Sequence, residues 1–466
     1  MSAIGPQESG PEQERKTMKR KTIIRHQLSQ TQFIAYGFLA IILLGSLLLM
    51  LPWSSRDGQS TSFLECLFTA TSATCVTGLV VVDTWSNWSL LGQIIIISLI
   101  QIGGLGFITV GIFAAIILRR KIGLRERGLM QESVNTLKLS GVVKLAKKII
   151  IGTAIFEGTG AVLLAIRFIP RFGLARGIFY GIFHSISAFC NAGFDLMGCE
   201  TPYMSLTGYY DDWLVNIVIM SLIVIGGLGF IVWDDISRNK LAVRKYMLHT
   251  KIVLLTTVFL IFGGALAIGI AEKDGTMASM DVGGVIWSSL FASVTARTAG
   301  FNTIDVAAMT EAGKLLTVFL MFIGGSPGST AGGVKTTTFA TLVLYVKSML
   351  TGANGVNVFK RRLSDDSIKK ASCICTVNLC LTLTVATLIL IMQDFSTADV
   401  LLETFSAMGT VGMSTGITRD LSDISRLLVI LLMYCGRIGS MSFALSFIRQ
   451  AKAVKVQLPE EKITIG

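Results

Sequence analysis

The sequence predicts an all-α integral membrane protein: four tandem helix/pore-loop/helix units arranged pseudo-fourfold around one pore. Three observations carry that expectation. The chain is too apolar for a soluble domain of its length, with 52% hydrophobic and only 15% charged residues among 466. Long apolar runs recur from one end to the other. Between them, four short stretches repeat one pattern of small residues ending on a glycine.

The apolar runs are Phe33 to Leu51, Ile94 to Leu118, Ile149 to Ile169, Leu214 to Trp233, Ile252 to Ile270, Leu315 to Val346, Ile374 to Met392 and Leu427 to Ile448. Each reaches or approaches the roughly 20 residues that a helix needs to cross about 30 Å of hydrocarbon. The first is of full spanning length and lacks an A-x-A-like cleavage site, so it reads as a span and not as a signal peptide. The net charge of +12 follows the connections: most of the 41 Lys and Arg fall in the N-terminal tail, after the second, fourth and sixth runs, and in the C-terminal tail. By the positive-inside rule both termini are expected in the cytoplasm of a multi-pass cell-membrane protein, with odd runs leading outward. The charge is thus topology and no sign of nucleic acid, although Arg167, Arg171 and Arg176 fall in an expected outer loop. Clusters such as Arg119 to Lys121 and Lys360 to Arg362 are expected to orient the chain and to touch anionic lipid or acidic faces of a partner. The eight Cys show neither metal-ligand nor secreted-scaffold spacing, Cys373 and Cys375 included, and read as small buried hydrophobes.

These signals divide the chain into a tail (1–30), pore unit 1 (31–118), a loop (119–148), unit 2 (149–233), a loop (234–250), unit 3 (251–346), a loop (347–372), unit 4 (373–448) and a tail (449–466). The stretch between the two runs of each unit is "FTATSATCVTGL" from Phe68, "FHSISAFCNAGF" from Phe183, "FASVTARTAGF" from Phe291 and "FSAMGTVGMS" from Phe405. Their glycines are Gly78, Gly193, Gly300 and Gly412. A second landmark, "GGLG", "GGLG", "GGSPG" and "GRIG", starts at Gly103, Gly226, Gly324 and Gly436, which is 25, 33, 24 and 24 residues further on. Non-helical backbone at membrane depth persists only when it is buried in protein or lines a water-filled cavity, so the four loops should converge on one axis.

The segment Thr410 to Ser414, "TVGMS", is close to the TVGYG segment whose carbonyls replace the hydration shell of K⁺ in potassium channels. Glycine suits an extended turn that aims several carbonyls at one ion, where a Cβ would obstruct both the torsion angles and the path. The residues before the four glycines are Val76 and Thr77, Asn191 and Ala192, Thr298 and Ala299, and Thr410 and Val411, none of them a carboxylate. Backbone oxygens are therefore the expected ligands, which favours a weakly hydrated monovalent cation over calcium. Leu79, Phe194, Phe301 and Met413 follow the glycines and are expected to pack behind them. At "GGLG", close helix packing is the expected use of glycine.

The sixth run holds "FIGGSPGSTAGGVKTTTF", Phe322 to Phe339, whose glycines and Pro327 rule out one continuous helix and point to an intramembrane loop. The stretch does not have phosphate-loop spacing, since Lys335 stands two residues beyond Gly333 and no strand precedes it. Arg437 occupies the register of Gly104, Gly227 and Gly325. A charge at mid-membrane costs at least about 2.5 kcal/mol, so a functional role is expected, either beneath the loops as an electrostatic barrier or bonded to carbonyls of the Gly324 to Gly333 stretch. Glu157 in the third run is the alternative, as an ion-pair partner. Arg297 is expected to brace the third loop, and His184 to be a packed pore-helix residue.

With these motifs the chain, from about Thr31 onward, resembles the Trk/Ktr/HKT superfamily of potassium transporters. Its first run opens at Phe33, which is similar to the KtrB branch more than to the TrkH branch with two extra N-terminal helices. The resemblance implies that Val76, Thr77, Gly78, Asn191, Ala192, Gly193, Thr298, Ala299, Gly300, Thr410, Val411 and Gly412 form a K⁺ selectivity filter. A serine in place of the first glycine marks some sodium-transporting plant members, so Gly78 favours K⁺. The resemblance assigns the gate to the loop 322–339, through Gly324, Gly325, Ser326, Gly328, Ser329, Thr330, Gly332, Gly333 and Lys335. It further implies a homodimer, one pore per subunit, on a cytoplasmic RCK-type ring of KtrA-like regulatory subunits. ATP or ADP is then expected on that partner, because this chain has no GxGxxG βαβ unit of its own. Some members of the branch depend on Na⁺.

Other classes fit less well. An organic-solute carrier would show inverted repeats around a midplane pocket, whereas these repeats share one orientation. A membrane enzyme would need acids, bases or metal ligands in constellation, and no such motif is present. Sodium or non-selective monovalent transport stays open as the alternative.

Overall fold

The computed structural model describes residues 29–118, 122–133 and 141–439, together with 461 and 464. Arg119 to Lys121, residues 440–448 of the eighth run and nearly all of both tails lie outside the described residues.

Unit 1 contains α1 (Gln30–Leu49), α2 (Phe63–Cys75), α3 (Leu90–Leu105) and α4 (Phe107–Ile117). A connecting helix α5 (Leu124–Ser133) precedes unit 2, made of α6 (Val142–Phe172), α7 (Leu174–Cys190), α8 (Trp213–Gly227) and α9 (Phe230–Asn239). Unit 3 comprises α10 (Leu248–Glu272), α11 (Val282–Thr295), α12 (Glu311–Phe322) and α13 (Thr336–Leu350). Unit 4 comprises α14 (Asp365–Met392), α15 (Thr397–Gly409) and α16 (Asp423–Ile438). Strand structure among the described residues is one hairpin, Asn357–Val358 against Arg361–Arg362, which carries the basic cluster expected there.

In each unit a long first helix is followed by a short pore helix, α2, α7, α11 or α15, and then by the inner helix that runs along it. The first helices α1, α6, α10 and α14 are long and apolar enough to cross a membrane. Side-chain caps open many of these helices, as they must where the first four N–H groups have no helical partner. Ser62, Asp281 and Ser396 cap three pore helices, and Ser89, Asp212, Thr310 and Ser422 cap the four inner helices.

Two expected continuous spans are corrected. The runs Ile94 to Leu118 and Leu214 to Trp233 turn by 95° and 96°, at α3/α4 and at α8/α9. The turns fall on Gly106 and Gly229, at φ +79° and +96°, a region that a side chain would strain. α16 ends in the same way on Gly439, at φ +94°. In unit 3 the helix stops at Phe322 and resumes at Thr336. Three inner helices thus end at one register, three residues past the second landmark, while the third stops earlier, two residues before its own.

The second landmark has a physical cause. A Cβ on Gly103, Gly226 or Gly436 would fall on the carbonyl oxygen of Thr74, Phe189 or Met408, each four residues before its own unit's loop glycine. The inner helix thus lies directly on the last turn of the pore helix, and only glycine permits that approach. Leu79, Phe194, Phe301 and Met413 are all buried behind the loops.

Two of the three arginines of the expected outer loop have ion-pair partners. Arg167 Nε bonds Asp212 at 2.6 Å and Arg171 bonds Glu200 at 2.6 Å, which ties the end of α6 to the connection before α8. Asp212 also accepts from Leu214 N and Val215 N as the cap of α8. Because Arg167 is half-exposed, the ion pair contributes little, whereas the cap is worth about 1 kcal/mol. Asp212→Ala is accordingly expected to lower the thermal midpoint of the purified protein, while Asp212→Asn, which keeps a capping oxygen, stays near wild type. Equal losses in the two would make the ion pair the larger contributor.

Candidate functional site

The four pore helices end where the loop segments begin. α2, α7 and α15 pass at once into left-handed residues, Val76 (φ +59°), Asn191 (φ +60°) and Thr410 (φ +51°), and Thr298 in unit 3 has φ +104°. Two residues on, Gly78, Gly193, Gly300 and Gly412 are again at positive φ, +94°, +69°, +82° and +93°. A β-branched residue at positive φ is strained, and such strain persists only where the surroundings over-determine it.

Those surroundings form a closed ring. A Cβ on Gly78 would land on the carbonyl oxygen of Ala192, on Gly193 on that of Ala299, on Gly300 on that of Val411, and on Gly412 on that of Thr77. Each loop glycine thus faces the carbonyl of the next unit, and the fourth closes on the first. The twelve residues assigned to the site by sequence are brought to one place, in the cyclic order 1, 2, 3, 4.

Backbone N–H groups in the ring turn back into the pore helices. Thr77 N, Ala192 N and Val411 N donate to the carbonyls of Ser72, Ser187 and Ser406 at 2.8 Å each, and Ala299 N to that of Thr295 at 2.9 Å. Gly78 N and Gly412 N donate to the hydroxyls of Ser72 and Ser406, both at 3.0 Å. The hydroxyls of Ser187 and Thr295 instead donate to the carbonyls of Phe194 and Phe301, both at 2.7 Å. No hydrogen bond among the described residues ends on a carbonyl oxygen of the twelve. The hydroxyls of Thr77 and Thr410 are buried and also lack a partner. Four helix C-termini, each bearing partial negative charge, point at this ring. Oxygen-rich and free of formal charge, the arrangement suits a monovalent cation.

Asn191 joins two loops, with its side-chain amide 3.0 Å from the Thr298 hydroxyl. Oriented with its oxygen toward Thr298, the amide nitrogen donates to the carbonyls of Ala188 and Ile223. On the open side of the ring lies a cavity of about 630 Å³, whose wall includes all four glycines together with Asp83, Asp195 and Asp305.

On the other side lies the loop between α12 and α13. Gly324 N bonds Val334 O at 2.8 Å, and a Cβ on Gly332 would meet the Thr410 hydroxyl, so the loop packs under the fourth loop segment. It also fills the break in the fourth run: Ser326 N donates to Gly227 O (2.9 Å), Thr330 N to Gly226 O (3.3 Å), and Phe230 N to Gly328 O (2.8 Å). The Thr330 hydroxyl donates to Phe189 O (3.1 Å), and the Ser329 hydroxyl to Ser326 O (2.7 Å). Lys335, with no carboxylate partner among the described residues, donates to the carbonyls of Ala331 (2.7 Å) and Gly332 (3.3 Å). Gly325, Gly328 and Gly333 complete the same loop, the last two at positive φ.

Arg437 reaches this loop by bonding the carbonyl of Thr330. Its other nitrogen bonds the carbonyls of Gly103 and Gly104, the latter at 2.9 Å, where the second run breaks. The alternative of an ion pair with Glu157 is thereby corrected, since Glu157 instead accepts from Gln101 at 3.1 Å, with the Cys190 thiol nearby. Arg297 is buried, but its side chain makes no hydrogen bond to the third loop. Its Nε has no partner, and it borders a small cavity beside Thr257, Gly227 and Gly325. His184 is packed as expected, accepting from Leu196 N and bonding Tyr180 O. Sequence reasoning missed Glu403, a fully buried carboxylate on α15 whose signal was a lone acid in the apolar stretch from Val400 to Phe405.

Residues 12–456 match the family described as TrkH, cation transport protein. Among curated relatives, the potassium/sodium uptake protein NtpJ of Enterococcus hirae is 40% identical over 93% of this chain and 96% of its own. The Ktr system potassium uptake protein B of Bacillus subtilis is 38% identical over 93% and 96%. Among solved structures, that of the potassium transporter TrkH from Vibrio parahaemolyticus shares the fold, with a TM-score of 0.72 at 18% identity over 91% of this chain and 86% of the other.

The ring allows a direct check. Alanine at Gly193 would place a Cβ on the Ala299 carbonyl at a backbone angle that costs about 1–2 kcal/mol. Gly193→Ala is expected to cut cation flux into proteoliposomes at least about tenfold while the protein still purifies as a single species. Wild-type flux in that variant would remove the ring from the pathway.

Proposed function

The chain belongs to the TrkH cation transport family, and from that premise we propose that it is the ion-translocating subunit of a K⁺ uptake system. It is a transporter of the multi-pass membrane class, not an enzyme. The observation that carries the proposal is the closed ring in which each loop glycine meets the next unit's carbonyl. Entering from the 630 Å³ cavity, a cation exchanges its water for the unpaired carbonyls of Val76–Gly78, Asn191–Gly193, Thr298–Gly300 and Thr410–Gly412. A single charge moving inward gains about 2.3 kcal/mol per 100 mV, enough for substantial accumulation.

Below the ring, the loop from Gly324 to Lys335 acts as the gate. Lys335 and Arg437 place two cations under a cation filter, and Arg437 ties the loop to the first unit. Conduction therefore requires the loop to move and Arg437 to release the Thr330 carbonyl. The relatives' description as parts of a Ktr system supports assembly with further Ktr components, which in this reading are a second copy of the chain and a separate cytoplasmic regulatory ring that carries ATP or ADP. The basic connections support a topology with both termini on that ring's side.

A second reading, Na⁺ or mixed K⁺/Na⁺ transport, is favoured by the description of the Enterococcus hirae relative as a potassium/sodium uptake protein. Uptake of K⁺, Rb⁺ and Na⁺ by a K⁺-uptake-deficient host, with and without added Na⁺, separates the two. K⁺ preference is expected for the wild type, and Gly78→Ser should shift selection toward Na⁺ by about tenfold. Preference for Na⁺ in the wild type would establish the second reading instead. For the gate, Arg437→Ala should raise flux in the absence of the regulatory partner and weaken control by it. Unchanged rate and unchanged control would exclude the gating role.

A further inference from the structure

On α15, Glu403 is fully buried and has no basic side chain against it among the described residues. Two hydroxyls hold its carboxylate. Thr418 donates to Oε1 at 2.6 Å and Ser414 to Oε2 at 2.7 Å, and the two hydroxyls lie 2.9 Å apart. The Ser414 hydroxyl in turn accepts from Gly416 N at 2.9 Å. Ser414, Gly416 and Thr418 all belong to the segment that leaves Gly412, and all three line the cavity above the ring.

The chemistry fixes the direction of these bonds. The Thr418 and Ser414 hydroxyls donate and the Glu403 carboxyl oxygens accept, so both hydroxyl protons point inward. The segment beyond Gly412 is thereby pinned to the pore helix behind it. At the same distance before Gly193, nine residues, stands His184, also fully buried, whose Nε2 accepts from Leu196 N at 3.3 Å just beyond that glycine. In the cyclic order of the ring, units 2 and 4 are diagonal neighbours across the axis.

We infer that Glu403, acting through Ser414 and Thr418, is a positioning residue that sets the ion selectivity of the fourth loop, with His184 in the corresponding place across the axis. The inference rests on the reading of the ring as the selectivity filter. A carbonyl ring discriminates between K⁺ and Na⁺ through the positions its oxygens keep, so loosening one wall changes the ratio of fluxes more than the total flux. The bond from each hydroxyl tightens the exit of a segment whose entrance is already held by the Ser406 hydroxyl at Gly412 N.

The test measures K⁺ and Na⁺ flux into proteoliposomes for Glu403→Gln, Glu403→Ala, Thr418→Val and the double variant Ser414→Ala/Thr418→Val, with Gly412→Ser alongside. Glu403→Ala and the double variant should lower the K⁺ to Na⁺ flux ratio about tenfold, with Glu403→Gln restoring part of it because an amide still bonds both hydroxyls. The hydroxyl variants keep the carboxylate, so they give the answer even where Glu403→Ala fails to fold. An unchanged ratio in Thr418→Val and the double variant, alongside a lowered ratio in Gly412→Ser, overturns the positioning role and leaves the filter reading standing. An unchanged ratio in Gly412→Ser as well overturns the filter reading and the inference with it.

Discussion

The structure depends on one constraint: backbone that leaves helical form at membrane depth has no water to bond and must find its partners in the protein. The four loops solve this by direction. Their N–H groups turn back to the pore helices, to Ser72, Ser187, Thr295 and Ser406, and the carbonyls left over face the axis. The inner-helix breaks meet the same demand differently. Carbonyls freed at Gly103 and Gly104 are taken by Arg437, and those freed at Gly226 and Gly227 by the amides of Thr330 and Ser326. A bare break would cost several kcal/mol for each unsatisfied group.

That constraint also decides what the sequence disclosed. The repeat was legible because two glycines in each unit answer two fixed demands, a carbonyl of the next unit at Gly78 and its own pore helix at Gly103. Their spacing is therefore a distance in the fold, and it survives as a count along the chain even across the longer connection in unit 2. The intramembrane loop was legible because Pro327 and clustered glycines contradict a helix on local grounds alone. The bends at Gly106 and Gly229 were not. An apolar run looks the same straight or turned, and glycine in a membrane helix more commonly serves packing.

The partners of charged residues were legible only in part. For Arg437 the sequence offered a carboxylate, Glu157, or loop carbonyls, and the carbonyls are what it meets. Reach explains the difference: a guanidinium has five donors in a planar fork, and three carbonyls brought together by two helix breaks fit that fork without a second charge. Glu157 finds Gln101 and the Cys190 thiol, a neutral pair that spacing along the chain could not have named. Arg297 shows a different outcome, a buried cation expected to brace its loop whose Nε has no hydrogen-bond partner among the described residues.

The units are alike in the ring and unlike beneath it, and the difference has a mechanical consequence. Gly103, Gly226 and Gly436 press on their own pore helices in units 1, 2 and 4, whereas in unit 3 Gly324 packs against Gly332 within its own loop. The loop is therefore the one inner segment at this level not wedged against its own pore helix. It is held by hydrogen bonds, to Gly226 and Gly227 of unit 2 and, through Arg437, to units 4 and 1, and by the packing of Gly332 and Gly333 against Thr410 and Gly409 of unit 4. Hydrogen bonds can be exchanged one at a time where a wedged backbone cannot move without unpacking a helix. Under the proposed gating role, the unit-3 loop can thus change state while the ring above it, closed on itself through all four units, keeps its shape.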